Sequence, residues 1–338
     1  MGIFEITLLF LGSVIGAGFA TGAEIVTFFG NLHLPVWSIA ALVGCTMFAI
    51  ITLEIYLNYP RTKPCTNNQQ PTTTQPAEHR HKTGKILDIV FIMIYLTLFT
   101  TMTAGITQIT NIGVCIVTLI ISTCIVLFGF QNLSRLNFYI VLIIIVLIIT
   151  TAIPHLLSTT TPVIHNWGNL PTGIIWAFLY AGLNCFMFPE LITAAAQRYQ
   201  RRTLILSGII TACLVTILVG LILTTIQVTG TQNAAIPLLA AAPNPTTMTV
   251  ILLAVLTSQY AALFAILQRT QKLLPATKNR PLSSTVGICL CAFIGSFCGF
   301  NHIINFAYPL IGVFTCVYLL FSCLKTWQTW CFSRRRPH

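Results

Sequence analysis

The sequence predicts an all-α integral membrane protein of about ten transmembrane helices, arranged as two inverted five-helix repeats with broken helices 1 and 6. Three observations predict this fold class. Apolar segments of roughly 20 residues recur along the chain. Lysine and arginine fall in alternate linkers, and the first and sixth segments carry glycine or proline near their centres. We therefore treat residues 1–338 as a single transmembrane domain.

Composition excludes a water-soluble protein. Of the 338 residues, 56% are hydrophobic and 7% are charged, which leaves too little polar surface to cover a water-facing exterior. The first apolar segment lacks a basic start and is interrupted by glycines, so we interpret it as a permanent helix and not as a cleavable signal peptide. A multi-pass protein of the cell membrane (inner or plasma) is expected.

The predicted spans divide into two halves. Residues 1–157 form the first five-helix repeat, and residues 171–324 form the second, inverted repeat. The division near Asn111 is the weakest. The ten predicted spans cover residues 5–29, 34–57, 86–110, 112–130, 136–155, 171–196, 203–228, 247–268, 283–299 and 303–324.

The basic residues decide the orientation. The loops 30–33, 156–170 and 229–246 have none, so by the positive-inside rule both termini are cytoplasmic. Residues 58–85 are predicted to form a flexible cytoplasmic loop and residues 325–338 a basic cytoplasmic tail. Because the net charge of +11 lies in these loops, no nucleic-acid partner is expected. All 17 Lys and Arg residues fall in the linkers 58–85, 131–135, 197–202 and 269–282 and in the tail 325–338.

The first span contains glycines close to the middle of the membrane. Gly12 and Gly16 form a GxxxG pattern, which also suits a plain helix-packing face. Packing explains Gly18, Gly22 and the nearby Glu24 less well. A broken helix is the alternative that we develop, because a break at this depth persists only where it lines a polar cavity.

The sixth span carries a similar interruption at Gly182, Asn184 and Pro189. When Gly16 is set against Gly182, residues 23–27 fall on residues 189–193 without a gap, and Glu24 falls on Glu190. Two broken helices at corresponding positions of inverted halves are typical of secondary transporters. The freed backbone groups then form a central site for a carboxylate beside a cation.

The motif Gly12-Ser13-Val14-Ile15-Gly16-Ala17-Gly18-Phe19-Ala20-Thr21-Gly22-Ala23-Glu24-Ile25, followed by Phe28-Phe29, resembles the YkvI-type amino acid permeases of the amino acid–polyamine–organocation superfamily. This resemblance implies the five-plus-five fold shared with sodium-coupled neurotransmitter symporters. It also implies a cation site made by the carbonyls of Gly12 and Ile15 together with Ala254, Thr257 and Ser258. Alternatively, Thr257 and Ser258 bond to carbonyls of their own helix.

We place the solute at the two breaks. Tyr95 and Tyr180 are candidates for capping it, or else they are ordinary packing residues. Coupling and gating candidates are Glu24, Glu190 and Asn305. Glu24 either carries a coupling proton or reaches the membrane interface. The predicted solute site consists of Ser13, Gly16, Ala17, Gly18, Tyr95, Tyr180, Gly182 and Asn184.

These features favour a secondary active transporter, coupled to an ion or a proton, for a small amino-acid-like zwitterion. The central zone lacks Lys, Arg and Asp, so a solute of large net charge would find no counter-ion. A membrane sensor that binds a ligand without moving it is the alternative. The acids are dispersed, so we expect neither an enzyme nor a metal centre. No cofactor is expected beyond a bound Na⁺ or a coupling proton. Partners are the solute and the lipid bilayer, and the oligomeric state stays open.

Overall fold

The computed structural model describes residues 2–32, 34–59, 83–157 and 170–334, and their regular structure is helical. A short 3-10 turn covers Pro275–Asn279. The α-helices in chain order are α1 (Gly2–Val14), α2 (Ala17–Thr21), α3 (Ala23–Phe29), α4 (Val36–Asn58), α5 (Thr83–Ile109), α6 (Ile112–Leu127), α7 (Phe130–Leu157), α8 (Leu170–Cys185), α9 (Phe188–Ala196), α10 (Arg201–Thr229), α11 (Pro237–Ala241), α12 (Pro245–Leu273), α13 (Pro281–Ser296) and α14 (Phe300–Arg334).

Length and hydropathy identify candidate membrane spans among the described helices. Six helices are long and apolar enough to cross a bilayer, and α8 with α9, bent by 51°, gives a seventh when the pair is counted as one span. Helices α1, α6 and α13 are apolar but shorter. The chain is thus a multi-pass helical membrane protein. Ten spans in two inverted repeats stay a prediction.

Helix α12 forms the centre of the bundle. Its most apolar window is 83% buried, whereas the corresponding windows of α7 and α14 are 33% buried. The exposed side chains on α7 and α14 include Tyr139, Ile143, Phe306 and Leu310, which suits contact with lipid chains. Helix α12 packs against α1, α2, α5, α6 and α7, so its small and polar residues face other helices.

At one face of the bundle, polar contacts join the ends of several helices. Glu5 accepts hydrogen bonds from Ser134 at 2.9 Å and from the Tyr199 hydroxyl at 3.0 Å. Arg269 at the end of α12 pairs with Asp88 at the start of α5. We call this face of the bundle the basic end, because the chain there carries arginine and lysine at the ends of its helices.

Some predicted boundaries need correction. Helix α14 continues to Arg334, so most of the predicted tail 325–338 is helical. Within the predicted loop 58–85, residues 60–82 lie outside the described residues, while α4 ends at Asn58 and α5 begins at Thr83. The division near Asn111 is real, because its side chain accepts a hydrogen bond of 3.0 Å from the amide of Val114 and caps α6.

Candidate functional site

The first span is broken close to where the glycines predict. Helix α1 ends at Val14, and α2 begins at Ala17 after Ile15 and Gly16. A second bend follows at Gly22, where φ is 76°, a left-handed conformation that favours glycine. The amide of Ala17 donates to the sulfur of Met102 at 3.1 Å. A thioether is a weak acceptor, so this backbone donor is poorly satisfied.

The break in the sixth span lies at Phe186 and Met187, between the predicted Asn184 and Pro189. Gly182 is inside α8, and a Cβ placed on it would lie 3.2 Å from the carbonyl oxygen of Gly312. Gly182 is therefore a contact between α8 and α14, and its place in the solute site stays a prediction. Pro189 stands in the first turn of α9, where its missing N–H leaves no hydrogen bond unmade.

Side chains from both breaks enclose a central cavity of about 20 Å³. That volume holds about one water molecule. Of the predicted solute-site residues, Ser13, Gly16 and Asn184 line it, together with the predicted coupling residue Glu24. The lining is Ser13, Val14, Gly16, Glu24, Leu98, Met102, Leu183, Asn184, Met187 and Tyr308.

Glu24 is the charged residue among the described residues that line this cavity. It is 3% exposed, so it is buried inside the protein. The side-chain amide of Asn184 donates to Glu24 Oε1 at 2.6 Å and to the carbonyl of Tyr180 at 3.0 Å. Gly18 lies against the same carboxylate, since a Cβ there would stand 2.7 Å from Glu24 Oε2.

Two buried tyrosine hydroxyls surround this carboxylate. Within the described residues, the hydroxyls of Tyr180 and Tyr308 have no hydrogen bond of good geometry. Both feel the charge of Glu24, and they lie near the side chains of Asn184 and Thr101 respectively. Buried polar atoms left in this way are uncommon and point to a ligand or an ordered water.

The predicted cation site comes together around Ser258. Its hydroxyl lies 2.9 Å from the carbonyl oxygen of Ile15 and 3.3 Å from that of Gly12. Thr257 instead donates to the carbonyl of Ala254 on its own helix, at 2.8 Å. The five residues are therefore neighbours, although Ser258 is the one whose hydroxyl crosses to the end of α1.

Tyr95 and Glu190 belong to a second polar group near the basic end. The Tyr95 hydroxyl contacts Glu190 and lies 3.2 Å from the carbonyl oxygen of Phe186. Arg269 also pairs with Glu190, and its second contact is Asp88 at 2.5 Å. Tyr95 does not line the central cavity, and its role in solute binding stays a prediction.

Sequence reasoning missed three members of this group. Arg269 lies in the predicted cytoplasmic linker 269–282. Asp88 and Glu54 lie in predicted spans, and sequence reasoning assigned neither of them a role. Glu54 is 1% exposed, and the side chain of Asn58 donates to it. Pairing acids and bases at equal depth in the predicted spans would have revealed them, since buried charges are normally paired.

At the opposite end of the bundle, the predicted gating residue Asn305 lies 3.2 Å from the hydroxyl of Thr27, linking α14 with α3. A pocket of about 380 Å³ opens there between α5, α13 and α14. One of its walls is Phe300, which is 2% exposed. A Cβ on Gly105 would lie 3.1 Å from Ala17 and 3.2 Å from Phe300, so little material separates this pocket from the first break.

Comparison with known proteins gives one informative result. No family model and no curated protein matches the sequence. The crystal structure of the Eremococcus coleocola manganese transporter, in complex with an aromatic bis-isothiourea substituted compound, aligns with 13% identity over 95% of this chain and 77% of that chain, at a TM-score of 0.53. This chain has the fold of a membrane transporter.

At this level of identity the likeness concerns the fold alone. A membrane-transporter fold agrees with the apolar spans of this chain. The resemblance to YkvI-type permeases, the amino-acid substrate and the coupling ion stay predictions, as do the roles of individual residues.

Proposed function

We propose that this protein is a secondary active transporter of a small amino-acid-like zwitterion, built on two inverted five-helix repeats. One observation carries the proposal. A buried carboxylate, Glu24, and a poorly satisfied backbone donor, the amide of Ala17, both lie next to Gly18: Ala17 precedes it in the chain, and a Cβ on Gly18 would stand 2.7 Å from Glu24 Oε2. Together they offer one negative and one positive partner to a solute that carries both charges.

The ammonium group of such a solute fits beside Glu24. Asn184 and the unpaired hydroxyls of Tyr180 and Tyr308 surround that carboxylate and supply further oxygen atoms. The solute carboxylate would take the Ala17 amide, where an anionic oxygen is a far better acceptor than the Met102 sulfur. Gly18 has no side chain that would stand between Glu24 and the Ala17 amide, so the solute can approach the backbone closely there.

The cavity of about 20 Å³ is too small for any amino acid, so binding requires it to widen. Met102 and Met187 line it, and methionine side chains rearrange easily because they are unbranched. Transport further requires that the site opens to each side in turn. Phe300 and the Thr27–Asn305 contact close one end, and the Arg269–Glu190 pair closes the basic end.

A sodium ion is the coupling ion that the geometry supports best. Carbonyls of Gly12 and Ile15 and the hydroxyl of Ser258 are hard oxygen ligands, which suit an alkali cation. Because Ser258 joins the end of α1 to the central helix α12, an ion held there would fix the first break in one conformation. Ala254 and Thr257 complete the proposed site from the same turn of α12.

A divalent metal ion is the second candidate substrate. Glu24, Asn184 and the sulfur atoms of Met102 and Met187 line the cavity together, and the structurally similar protein is a manganese transporter. Against it, no group of three His, Cys, Asp or Glu side chains within the described ranges is placed to hold a metal ion. Thioether ligands also favour softer metals than manganese.

Purified protein in proteoliposomes tests these proposals. Uptake of pooled labelled amino acids is measured with an imposed sodium or proton gradient, and uptake of Mn²⁺ is measured in parallel. Gradient-driven amino-acid uptake supports the proposed transporter, and Mn²⁺ uptake alone favours the second candidate. Saturable amino-acid binding without uptake under any gradient would contradict transport and favour the membrane sensor.

A further inference from the structure

The polar group near the basic end contains more acids than bases. Its carboxylates belong to Glu54 on α4, Asp88 on α5 and Glu190 on α9. Arg269 pairs with Asp88 and Glu190 and also stacks on the ring of Phe91, with its guanidinium 4.3 Å from the ring centre. Lys272 adds a second contact to Asp88 at 3.3 Å. The two cationic side chains, Arg269 and Lys272, thus form ion pairs with two of the three carboxylates, Asp88 and Glu190.

Glu54 is the carboxylate without a cationic contact in this group. It is 1% exposed, and its hydrogen-bond donor is the neutral side chain of Asn58 one turn further along α4. The charges of Glu190 and Arg269 both act on it, although neither forms an ion pair with it. A buried ionised carboxylate in this position is costly, whereas the neutral acid is not.

Among the residues whose side chains the structure describes, the charged groups that act on Glu54 are Glu190 and Arg269. The titratable groups that act on it or feel its charge are neutral phenols or thiols, apart from Glu190 and Arg269. Helix α10 contributes Arg201, which lies over the ring of Tyr56, 4.9 Å from its centre. The neutral groups are Tyr95 of α5, Cys185 of α8 and Tyr318 and Cys323 of α14.

We propose that Glu54 is a proton-binding site whose occupancy is linked to the Arg269–Glu190 ion pair. While the pair is closed, Glu190 takes the charge of Arg269 and Glu54 keeps its proton. When the pair separates, Arg269 is free to compensate Glu54, and the proton leaves to water at the basic end. The assignment of the pair as a gate rests on the proposed function, but the proton site does not.

Infrared difference spectroscopy of the purified full-length protein at neutral pH tests the site without any solute. We expect the carboxylic-acid C=O absorption of one group to be lost in Glu54→Gln. The same loss is expected in Glu190→Gln, because Arg269 is then left for Glu54. Glu5→Gln serves as the matched control, since Glu5 is hydrogen-bonded to Ser134 and Tyr199 at the same end.

Two results would overturn the proposal. An unchanged carboxylic-acid absorption in Glu54→Gln means that Glu54 is ionised, and an absorption retained in Glu190→Gln means that the ion pair does not control the proton. Should Glu54→Gln fail to fold, Glu54→Asp is measured in its place, because a shorter acid keeps the polar group and shifts the frequency of its carboxylic-acid absorption. An absorption that does not shift in Glu54→Asp would also overturn the proposal. An absence of transport in proteoliposomes would contradict the proposed function and leave these spectra unaffected.

Discussion

The side-chain amide of Asn184 donates a hydrogen bond of 2.6 Å to the carboxylate of Glu24, a residue 160 positions earlier in the chain. The bond connects the last turn of α8 with the first turn of α3, which are the segments next to the two breaks. A central site that depends on this bond is therefore shared between the two halves of the chain. Any change of the angle between those halves alters it directly.

Glu24→Gln is expected to weaken solute uptake while leaving the protein folded. Glutamine still accepts the hydrogen bond from Asn184, but the charge that would pair with an ammonium group is lost. Since a hydrogen bond to a charged group contributes about 1.5–3 kcal/mol, we expect a roughly 10- to 100-fold rise in the half-saturating solute concentration. Glu5→Gln should change uptake little, and an equal effect of both variants would contradict the assignment.

Gly18→Ala tests the close approach between α2 and Glu24. An added Cβ would lie 2.7 Å from Glu24 Oε2 and 3.2 Å from Cε2 of Tyr308, so the carboxylate must move. Overpacking of this kind costs about 1–3 kcal/mol, and we expect lower thermal stability in detergent together with loss of uptake. Gly287→Ala is the matched control, because nothing lies within 4 Å of a Cβ at Gly287. A fully active Gly18→Ala would show that the site lies elsewhere.

Ser258→Ala and Thr257→Ala separate the two neighbouring hydroxyls. Ser258 reaches the carbonyls of Ile15 and Gly12, whereas Thr257 bonds within α12. We expect Ser258→Ala to raise the half-saturating sodium concentration of uptake and to lower stability by about 1 kcal/mol, the typical contribution of one hydrogen bond. Thr257→Ala should have the smaller effect on both measurements. The reverse order, or sodium-independent uptake in the unaltered protein, would exclude Ser258 from an ion site.

Arg269 and Lys272 differ in what their removal leaves behind. Arg269→Ala strands Glu190 and leaves Asp88 with the largely exposed Lys272 alone, and breaking a buried pair from one side costs about 3–5 kcal/mol. Lys272 has a side chain that is 65% exposed, so Lys272→Ala should cost less than about 1 kcal/mol. Thermal unfolding in detergent measures both. Adding Asp88→Asn and Glu190→Gln to Arg269→Ala should restore much of the loss, and a failure to do so would point to lost packing on Phe91.

The interruptions of the first and sixth spans show how well helix breaks could be predicted from the sequence. The cluster around Gly16 predicted a break, and the chain does leave the helix at Ile15 and Gly16. In the second half the predicted interruption at Gly182, Asn184 and Pro189 contains the break at Phe186 and Met187, but Gly182 itself lies inside α8 and needs its small size for contact with α14. A glycine has the same signature in sequence whether it bends the backbone or lets a neighbouring helix approach.

The contacts of Tyr95 and Glu54 could not be predicted from the sequence. Tyr95 was a reasonable candidate for the solute site by depth, but α5 turns it towards Glu190. Nothing in the sequence indicates that Glu54 is buried, because an isolated acid close to the end of a helix is usually exposed to water. Glu54 is buried in the folded protein, where α4 packs against α8, α9 and α10, which lie far away in sequence.

By itself, the sequence determined that the chain is a multi-pass helical membrane protein and which linkers are basic. These properties depend on hydropathy and charge, which are summed over neighbouring residues and need no knowledge of the partners. Only the tertiary structure decided which polar groups meet. It placed Glu24 beside Asn184, directed Ser258 to the end of α1 and gave Arg269 to Glu190 and Asp88. Such pairings depend on the rotation and tilt of whole helices, and packing between distant segments sets both.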